Sequence, residues 1–269
     1  MATLSKKNTV TGQTLMTGKE CTVSFFPSKE KGIRFFVQGN ETSILANPLN
    51  VVSTDNCTVL GSGEVRVMLV EHFMAACAFS GVTSLDVCMS IPEMPILDGS
   101  SLKWFEMFQK AGITEENYGE SIEISEPITY SDNRTTLVVI PSDEFKITYC
   151  INFDHPDLKN RWLSFDLSSD KNNIIEARTF GYLKDLEKFH QMGLALGANG
   201  KNTVGLTEDG YTTELRSQYE PIKHKILDLI GDLYLTGINP FRLKAHIIAK
   251  DAGHKSHVEL AKKFTNIVY

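Results

Sequence analysis

Lys223-His224-Lys225-Ile226-Leu227-Asp228-Leu229-Ile230-Gly231-Asp232 spaces three polar residues at intervals of four within an apolar run. Residues four apart share one face of a helix. His224, Asp228 and Asp232 therefore form one stripe, while Ile226, Leu227, Leu229 and Ile230 cover the rest of the cylinder and predict a largely buried helix. A buried carboxylate is costly unless it is paired or holds a metal. His224 and Asp228, one turn apart, can grip one cation from one face, as the two His of H-E-x-x-H do. The same spacing also suits a histidine that caps or salt-bridges Asp228 inside an ordinary core helix, so the rest of the chain must decide.

Outward from this stretch, the helix is expected over 220–235, ending near Gly237, with a strand over 242–249 and a last helix over 255–264. The first half has the same order. Strands over 21–27 and 33–37 lead to a helix over 67–78 that ends at Gly81, then a strand over 84–91 and a helix through Ala111. Residues 40–64 are polar and turn-rich and are expected to form a small irregular insertion. Between the halves, 115–120 suits a linker, and strands follow over 122–130, 135–141 and 144–153. A short helix is expected over 181–192, then a small, apolar, glycine-rich segment over 194–200. The parallel order suggests a duplicated β–α–β–α unit. Such a pair would bring its two His-bearing helices to equivalent positions.

Bulk properties narrow the class. The 269 residues suit one large domain or two small ones, and 42% hydrophobic with 22% charged residues is enough for a core. A formal net charge of -6 argues against general nucleic-acid binding. Five cysteines, an odd number with no CxxC, read as reduced thiols in a cytoplasmic protein. The N-terminus lacks the apolar stretch of a signal peptide, and no run reaches the roughly 18 to 20 apolar residues of a membrane span.

The first of the two His-bearing helices supplies Glu71-His72 within an otherwise apolar Met68-to-Met74 stretch. Neighbouring helical residues diverge by about 100°, so one can hold a metal while the other leans over an open coordination position. His72, His224 and Asp228 would leave a fourth position free, the layout of a catalytic zinc site rather than a closed structural one. Taken alone, Glu71 also reads as a solvated residue and His72 as a hydrogen-bonded core residue. With zinc present, Glu71 can take a proton from water. A general acid must then protonate the leaving group. The candidate is His254, at a strand-to-helix turn in Asp251-Ala252-Gly253-His254. His257 reads as a surface residue, and His155, His190 and His246 as structural.

Val70-Glu71-His72, His224-Lys225-x-x-Asp228-x-x-Gly231-Asp232 and Gly253-His254 resemble the three signature blocks of the UDP-3-O-acyl-N-acetylglucosamine deacetylases, the zinc amidases of lipid A synthesis in Gram-negative bacteria. Further blocks agree: Thr11-Gly12 through Thr17-Gly18, Pro92 through Ser100, Asn152-Phe153-Asp154-His155-Pro156 and Ala177-Arg178-Thr179-Phe180-Gly181. The resemblance runs collinearly from about residue 8 to residue 264. It implies His72, His224 and Asp228 as zinc ligands, with Fe2+ as the alternative metal. It implies Glu71 as general base and His254 as general acid. Thr179 would hydrogen-bond the oxyanion, Asp232 would orient His254, although its place in the stripe alone also allows it to hydrogen-bond a metal ligand, and Lys225 would contact the sugar or diphosphate. Phe180, Leu194 and Gly197 would meet the substrate, the last two in a passage for the acyl chain. The implied fold is α+β: two similar layered domains, 1–118 and 119–269, sandwich the site, with inserts at about 33–60 and 183–210. The expected partner is a small-molecule acylated UDP-sugar, met from the cytoplasm by a monomer with no nucleic acid and no transmembrane segment.

One block departs from the resemblance. Met16 stands where the family pattern usually carries His before Thr17-Gly18, which puts a local contact in doubt and leaves ligands, base and acid intact. With Tyr269 soon after the last expected helix, neither the longer tail of many relatives nor a fused dehydratase domain is expected. Two other readings remain at this point. Two His and one carboxylate also describe the facial triad of non-haem Fe(II) oxygenases. A relative that binds the nucleotide lipid without cleaving it is the non-catalytic reading. Glu71 beside a ligand and a separate histidine acid favour hydrolysis.

Overall fold

Strict inward–outward alternation builds the first sheet. Val23 and Phe25 in β2 and Ile33, Phe35 and Val37 in β3 all point to one face, as a period of two requires for a sheet covered on one side. The computed structural model describes residues 1–114 and 120–268. The linker expected at 115–120 lies, Glu120 excepted, outside the described residues. In chain order the first unit has β1 (Asn8–Gln13), β2 (Glu20–Pro27), β3 (Gly32–Val37) and β4 (Ile44–Leu45). A small antiparallel sheet follows, β5 (Val51–Ser53), β6 (Val59–Ser62) and β7 (Val65–Met68), then α1 (Glu71–Ser80), β8 (Ser84–Met89) and α2 (Leu102–Ala111). The second unit has β9 (Ile122–Glu123), β10 (Ile128–Asp132), β11 (Thr135–Pro141), β12 (Lys146–Ile151) and β13 (Arg161–Asp166). Next come α3 (Asn172–Ile175), β14 (Thr179–Tyr182), α4 (Leu186–Gln191) and β15 (Thr203–Leu206), then α5 (Glu220–Tyr234), β16 (Leu243–Lys250) and α6 (His254–Val268).

The duplication is visible in the topology. The first sheet runs β1-β2-β8-β3-β4 and the second β10-β11-β16-β12-β13. Both follow the same sequence of pairings: antiparallel, antiparallel, parallel, antiparallel. In each, the chain leaves the outermost strand, makes a separate small sheet, and re-enters through a helix that feeds the central strand. The second small sheet is the parallel pair β14–β15.

The helices pack between the sheets. Phe25 of the first sheet meets Phe73 of α1 and Phe108 of α2 edge to face, with centroids 6.3 and 5.3 Å apart. Every residue of α1 is buried, so the helix has no polar face to read in its sequence. Its outer side is covered by α5. Gly231 makes that contact possible, because a Cβ there would stand 2.1 Å from the carbonyl oxygen of Glu71 and 3.1 Å from the amide nitrogen of Ala75.

Four local readings change. The strand expected over 122–130 is two strands, β9 beside β16 and β10 beside β11. The helix expected from residue 67 starts at Glu71. Residues 65–68 are a strand, and Leu69, at φ 65°, turns the chain between them. A short apolar run does not by itself distinguish a strand from a buried helix. Within 40–64, expected to be irregular, lie β4, β5 and β6. The helix expected over 181–192 is shorter, because 179–182 pair as β14 with β15. The edge strand β13 was not anticipated. Its partner β12 buries Ile147 and Tyr149, but only Phe165 of β13 is buried.

Candidate active site

The crossing of α1 and α5 places His72, His224 and Asp228 together. Nε2 of His224 lies 3.3 Å and Nε2 of His72 3.7 Å from Oδ1 of Asp228. One ligand atom from each of the three lies within 4.8 Å of the others. His224 donates from Nδ1 to the carbonyl of Ala177 at 2.9 Å, which fixes the tautomer and leaves Nε2 with its lone pair. Oδ1 of Asp228 is buried with no hydrogen-bond partner among the described residues, while Oδ2 accepts from Lys225 at 2.7 Å. Two imidazole nitrogens and one open carboxylate oxygen, all buried, are the donor set of a zinc or ferrous site. The electrostatics agree. Burial holds His72 neutral, with its pKa lowered to about 3, and lowers that of His224. Burial works to raise Asp228, but His224 and Lys225 hold it well below the usual carboxylate range.

Glu71 opens α1 beside His72. Its Oε2 accepts from the amide of Thr58 at 3.0 Å, so Oε1 is left to face the cleft. Burial raises its pKa to about 7, with His254 pulling the other way. His254 opens α6. Its Nδ1 donates to Oδ2 of Asp232 at 2.9 Å, and its Nε2 stands 3.9 Å from Oε1 of Glu71 and 3.9 Å from Oδ2 of Asp228. Burial works to lower this imidazole. The carboxylates of Asp232 and Asp228 outweigh it and raise the pKa to about 9. A carboxylate able to take a proton and an imidazole able to give one thus face each other across the three-residue cluster.

The cluster floors a cleft of about 470 Å³ whose walls include Thr179, Phe180, Lys225 and Arg134. Thr179 is fixed by its amide, which donates to the carbonyl of Gly99 at 2.8 Å. The adjoining Arg178 is buried against Glu220, with Nε to Oε1 at 2.8 Å. The first contact ties the Ala177-Arg178-Thr179 stretch to the turn at Gly99, and the second ties it to the start of α5. Phe180 packs edge-on to His224, with centroids 6.1 Å apart.

A second cavity of about 320 Å³ adjoins the first, sharing Leu15, Asn56, Thr179 and Phe180 with it. Its walls are mainly apolar: Met16, Leu186, Phe189, Ala195 and Ala198 contribute. Of the 194–200 segment expected to form the passage, Ala195 and Ala198 line it, whereas Leu194 and Gly197 are not among its wall residues. Gly197 serves a backbone approach instead. A Cβ there would lie 1.9 Å from the carbonyl oxygen of Thr14, and its amide donates to the carbonyl of Leu15 at 3.0 Å. Met16 is buried and forms part of this apolar wall. The carboxylate of Glu93 holds that turn by accepting from the amides of Met16 and Thr17 at 2.6 and 3.1 Å.

His257 is not on the surface. It is fully buried and donates from Nδ1 to Oδ2 of Asp232 at 2.9 Å. Its i,i+3 spacing from His254 puts the two on one helix face, but spacing alone does not show that the face is buried. Thr58, whose amide reaches Glu71 and whose hydroxyl donates to Oδ1 of Asp232 at 2.6 Å, left no signal in the sequence. Of the histidines read as structural, His155 is buried and bonds the carbonyl of Gly210 at 2.9 Å, His246 meets the Thr148 hydroxyl at 2.8 Å, and His190 is exposed.

Comparison with known proteins places the chain in a family. The family model described as UDP-3-O-acyl N-acetylglycosamine deacetylase matches residues 1–266. The UDP-3-O-acyl-N-acetylglucosamine deacetylase of Leptospira biflexa serovar Patoc is 39% identical over 270 residues, 97% of this chain and 88% of the relative. The proteins of the same name from Syntrophotalea carbinolica and Nostoc sp. are 35% and 34% identical, each over 97% of this chain, with 86% and 96% of the relative covered.

Proposed function

This chain belongs to the UDP-3-O-acyl N-acetylglycosamine deacetylase family, and from that premise we propose that it hydrolyses the acetamide of UDP-3-O-acyl-N-acetylglucosamine, releasing acetate in lipid A biosynthesis. The observation that carries this reading is the convergence of His72, His224 and Asp228 beneath a cleft where Glu71 and His254 face each other 3.9 Å apart. His72 Nε2, His224 Nε2 and Asp228 Oδ1 would hold zinc. A zinc ion there would supply Lewis-acid charge to the carbonyl oxygen and make water more acidic.

The remaining steps belong to the protein's own groups. Oε1 of Glu71 takes a proton from the water that attacks the acetamide carbon. Thr179 donates to the developing oxyanion, a charge that preorganised donors stabilise more than they do the ground state. Nε2 of His254 then gives its proton to the sugar nitrogen as the C–N bond breaks. Asp232 holds the opposite edge of that ring, keeping Nε2 directed into the cleft. Lys225 and Phe180 meet the sugar nucleotide.

The apolar second cavity takes the acyl chain, in line with its direct opening onto the catalytic cleft. The division of the chain at about residue 118 is part of the same proposal, as are a monomeric state and a cytoplasmic location. Among the described residues no helix is long and apolar enough to cross a membrane. The test is acetate release from the acylated UDP-sugar, with oxygen uptake measured in parallel. Stoichiometric acetate and free amine support hydrolysis. Oxygen consumption with no acetate would replace it with the facial-triad reading.

A further inference from the structure

Asp232 carries two histidines. Its Oδ2 accepts Nδ1–H from His254 and from His257, each at 2.9 Å, and its Oδ1 accepts from Thr58 at 2.6 Å. A carboxylate only accepts, so both imidazoles carry their proton on Nδ1. Nε2 of His257 lies 2.9 Å from the hydroxyl of Tyr149 on β12. The single proton of that hydroxyl lies between two acceptors, Nε2 of His257 and, at 2.7 Å, the carbonyl of Ala252, two residues before His254. The contacts form a closed circuit: His254, Asp232, His257, Tyr149, Ala252, and back along the chain to His254. His257 and Tyr149 are both fully buried.

An imidazole that served only to fill this space would be replaceable by leucine at no cost in hydrogen bonds, since a buried polar group is retained at a penalty unless it is satisfied. Here both nitrogens are engaged, and both engagements bear on His254. One shares the oxygen that His254 uses. The other reaches, through Tyr149, the turn at 251–253 that aims it. With His254 alone on Asp232, its ring would be free to swing about a single hydrogen bond.

We propose that His257, with Tyr149 behind it, is a positioning residue for the reaction: it fixes the Asp232 carboxylate and the 251–253 turn so that Nε2 of His254 stays directed at the cleft beside Glu71. The proposal rests on the deacetylase reading for the role of His254. His257 itself touches no substrate.

Two measurements on the metal-loaded full chain test it. In steady-state kinetics, His257→Leu lowers kcat by about tenfold or more, as misplacement of a reacting group does, with KM little changed. In the His254→Ala background the same substitution has no further effect, because it acts through His254. His257→Asn, whose side-chain amide can replace the Nδ1–H donor, recovers most of kcat. Tyr149→Phe, which removes one hydroxyl, lowers kcat in the same direction and serves if His257→Leu does not fold. In long-range 1H–15N imidazole spectra, the Nδ1–H proton of His254 is protected from exchange in the wild type and exchanges faster in His257→Leu. An unchanged kcat in folded His257→Leu, or an equal loss in both backgrounds, would overturn the proposal. A wild type that releases no acetate instead removes the deacetylase reading. The imidazole spectra then decide alone: unchanged protection of His254 in the variant overturns the positioning role, and lost protection supports it.

Discussion

Gly231 of α5 passes so close to Glu71 of α1 that a Cβ on the glycine would stand 2.1 Å from the glutamate's carbonyl oxygen. This contact sets the distance between the helix carrying His72 and the one carrying His224 and Asp228. Neighbouring backbone, not a flexible side chain, occupies the space. Gly231→Ala must push the helices apart. Overpacking of this kind costs about 1–3 kcal/mol, and the metal-ligating groups separate with the helices. Chemical denaturation and metal titration of the variant should therefore show lower stability and weaker metal binding together. A destabilised variant with wild-type metal affinity would mean that the crossing does not set the ligand geometry.

Base and ligand are separable although they are adjacent. Glu71→Gln should retain metal and lose kcat by roughly 10²-fold or more, the usual scale for a positioned base. His254→Ala should also retain metal. Activity needs Glu71 without its proton and His254 with one, so the rate rises with pH as Glu71 ionises and falls as His254 loses its proton. His254→Ala should lack the alkaline limb. Metal loss in Glu71→Gln would reassign it as a ligand, and a wild-type alkaline limb in His254→Ala would remove that residue from the proton path.

How much of this was readable beforehand varies with the physics. The α5 stripe was legible because a four-residue interval on an apolar helix leaves only one face for His224, Asp228 and Asp232. The paired topology was legible in outline because each unit repeats the same order of elements around a His-bearing helix. The strand at 65–68 was not, since Val65 to Val70 reads equally as buried helix and as strand, and the left-handed turn at Leu69 has no glycine to announce it. His257 was misplaced for another reason. Its neighbours Lys255 and Glu259 suggest a solvated face, and only the tertiary approach of Asp232 and Tyr149 gives a buried imidazole its two partners. The apolar cavity draws on the turn at 15–16 and on Ala195 and Ala198, residues about 180 positions apart, and no local pattern links them.

The buried pair Arg178–Glu220 ties the Thr179 stretch to α5 and makes stability depend on pH. The Glu220 carboxylate accepts from Nε and Nη2 of Arg178 and from the amides of Arg178 and Arg216. Burial works to raise its pKa, but these donors outweigh burial and hold it below the usual value. A depressed folded pKa means that the stabilisation is present above the unfolded value, about 4.3, and is lost as pH falls through the folded one. Glu220→Gln should flatten the acid limb of a stability–pH curve. Arg178→Met, which strands a buried carboxylate, should cost roughly 3–5 kcal/mol at neutral pH. An acid limb in Glu220→Gln identical to that of the wild type would assign the pH dependence to other carboxylates.

Ala198 lines the apolar cavity, and tryptophan there should obstruct the acyl chain. Each buried CH₂ contributes about 0.8 kcal/mol, so displacing two methylenes already lowers kcat/KM about tenfold. The loss should be large for the long-chain substrate and small for the same sugar nucleotide lacking its acyl chain. Equal losses on both would place Ala198 in the general site, and no loss on either would leave the cavity without a role in acyl binding.

The central claim is that His72, His224 and Asp228 hold one catalytic metal for amide hydrolysis. Its most direct test is acetate release from UDP-3-O-acyl-N-acetylglucosamine by metal-stripped protein titrated with zinc. The account predicts negligible release without metal, a rise to a maximum near one equivalent, and no comparable rise in His224→Ala. Full activity in the stripped protein, or a wild-type titration in His224→Ala, would contradict it.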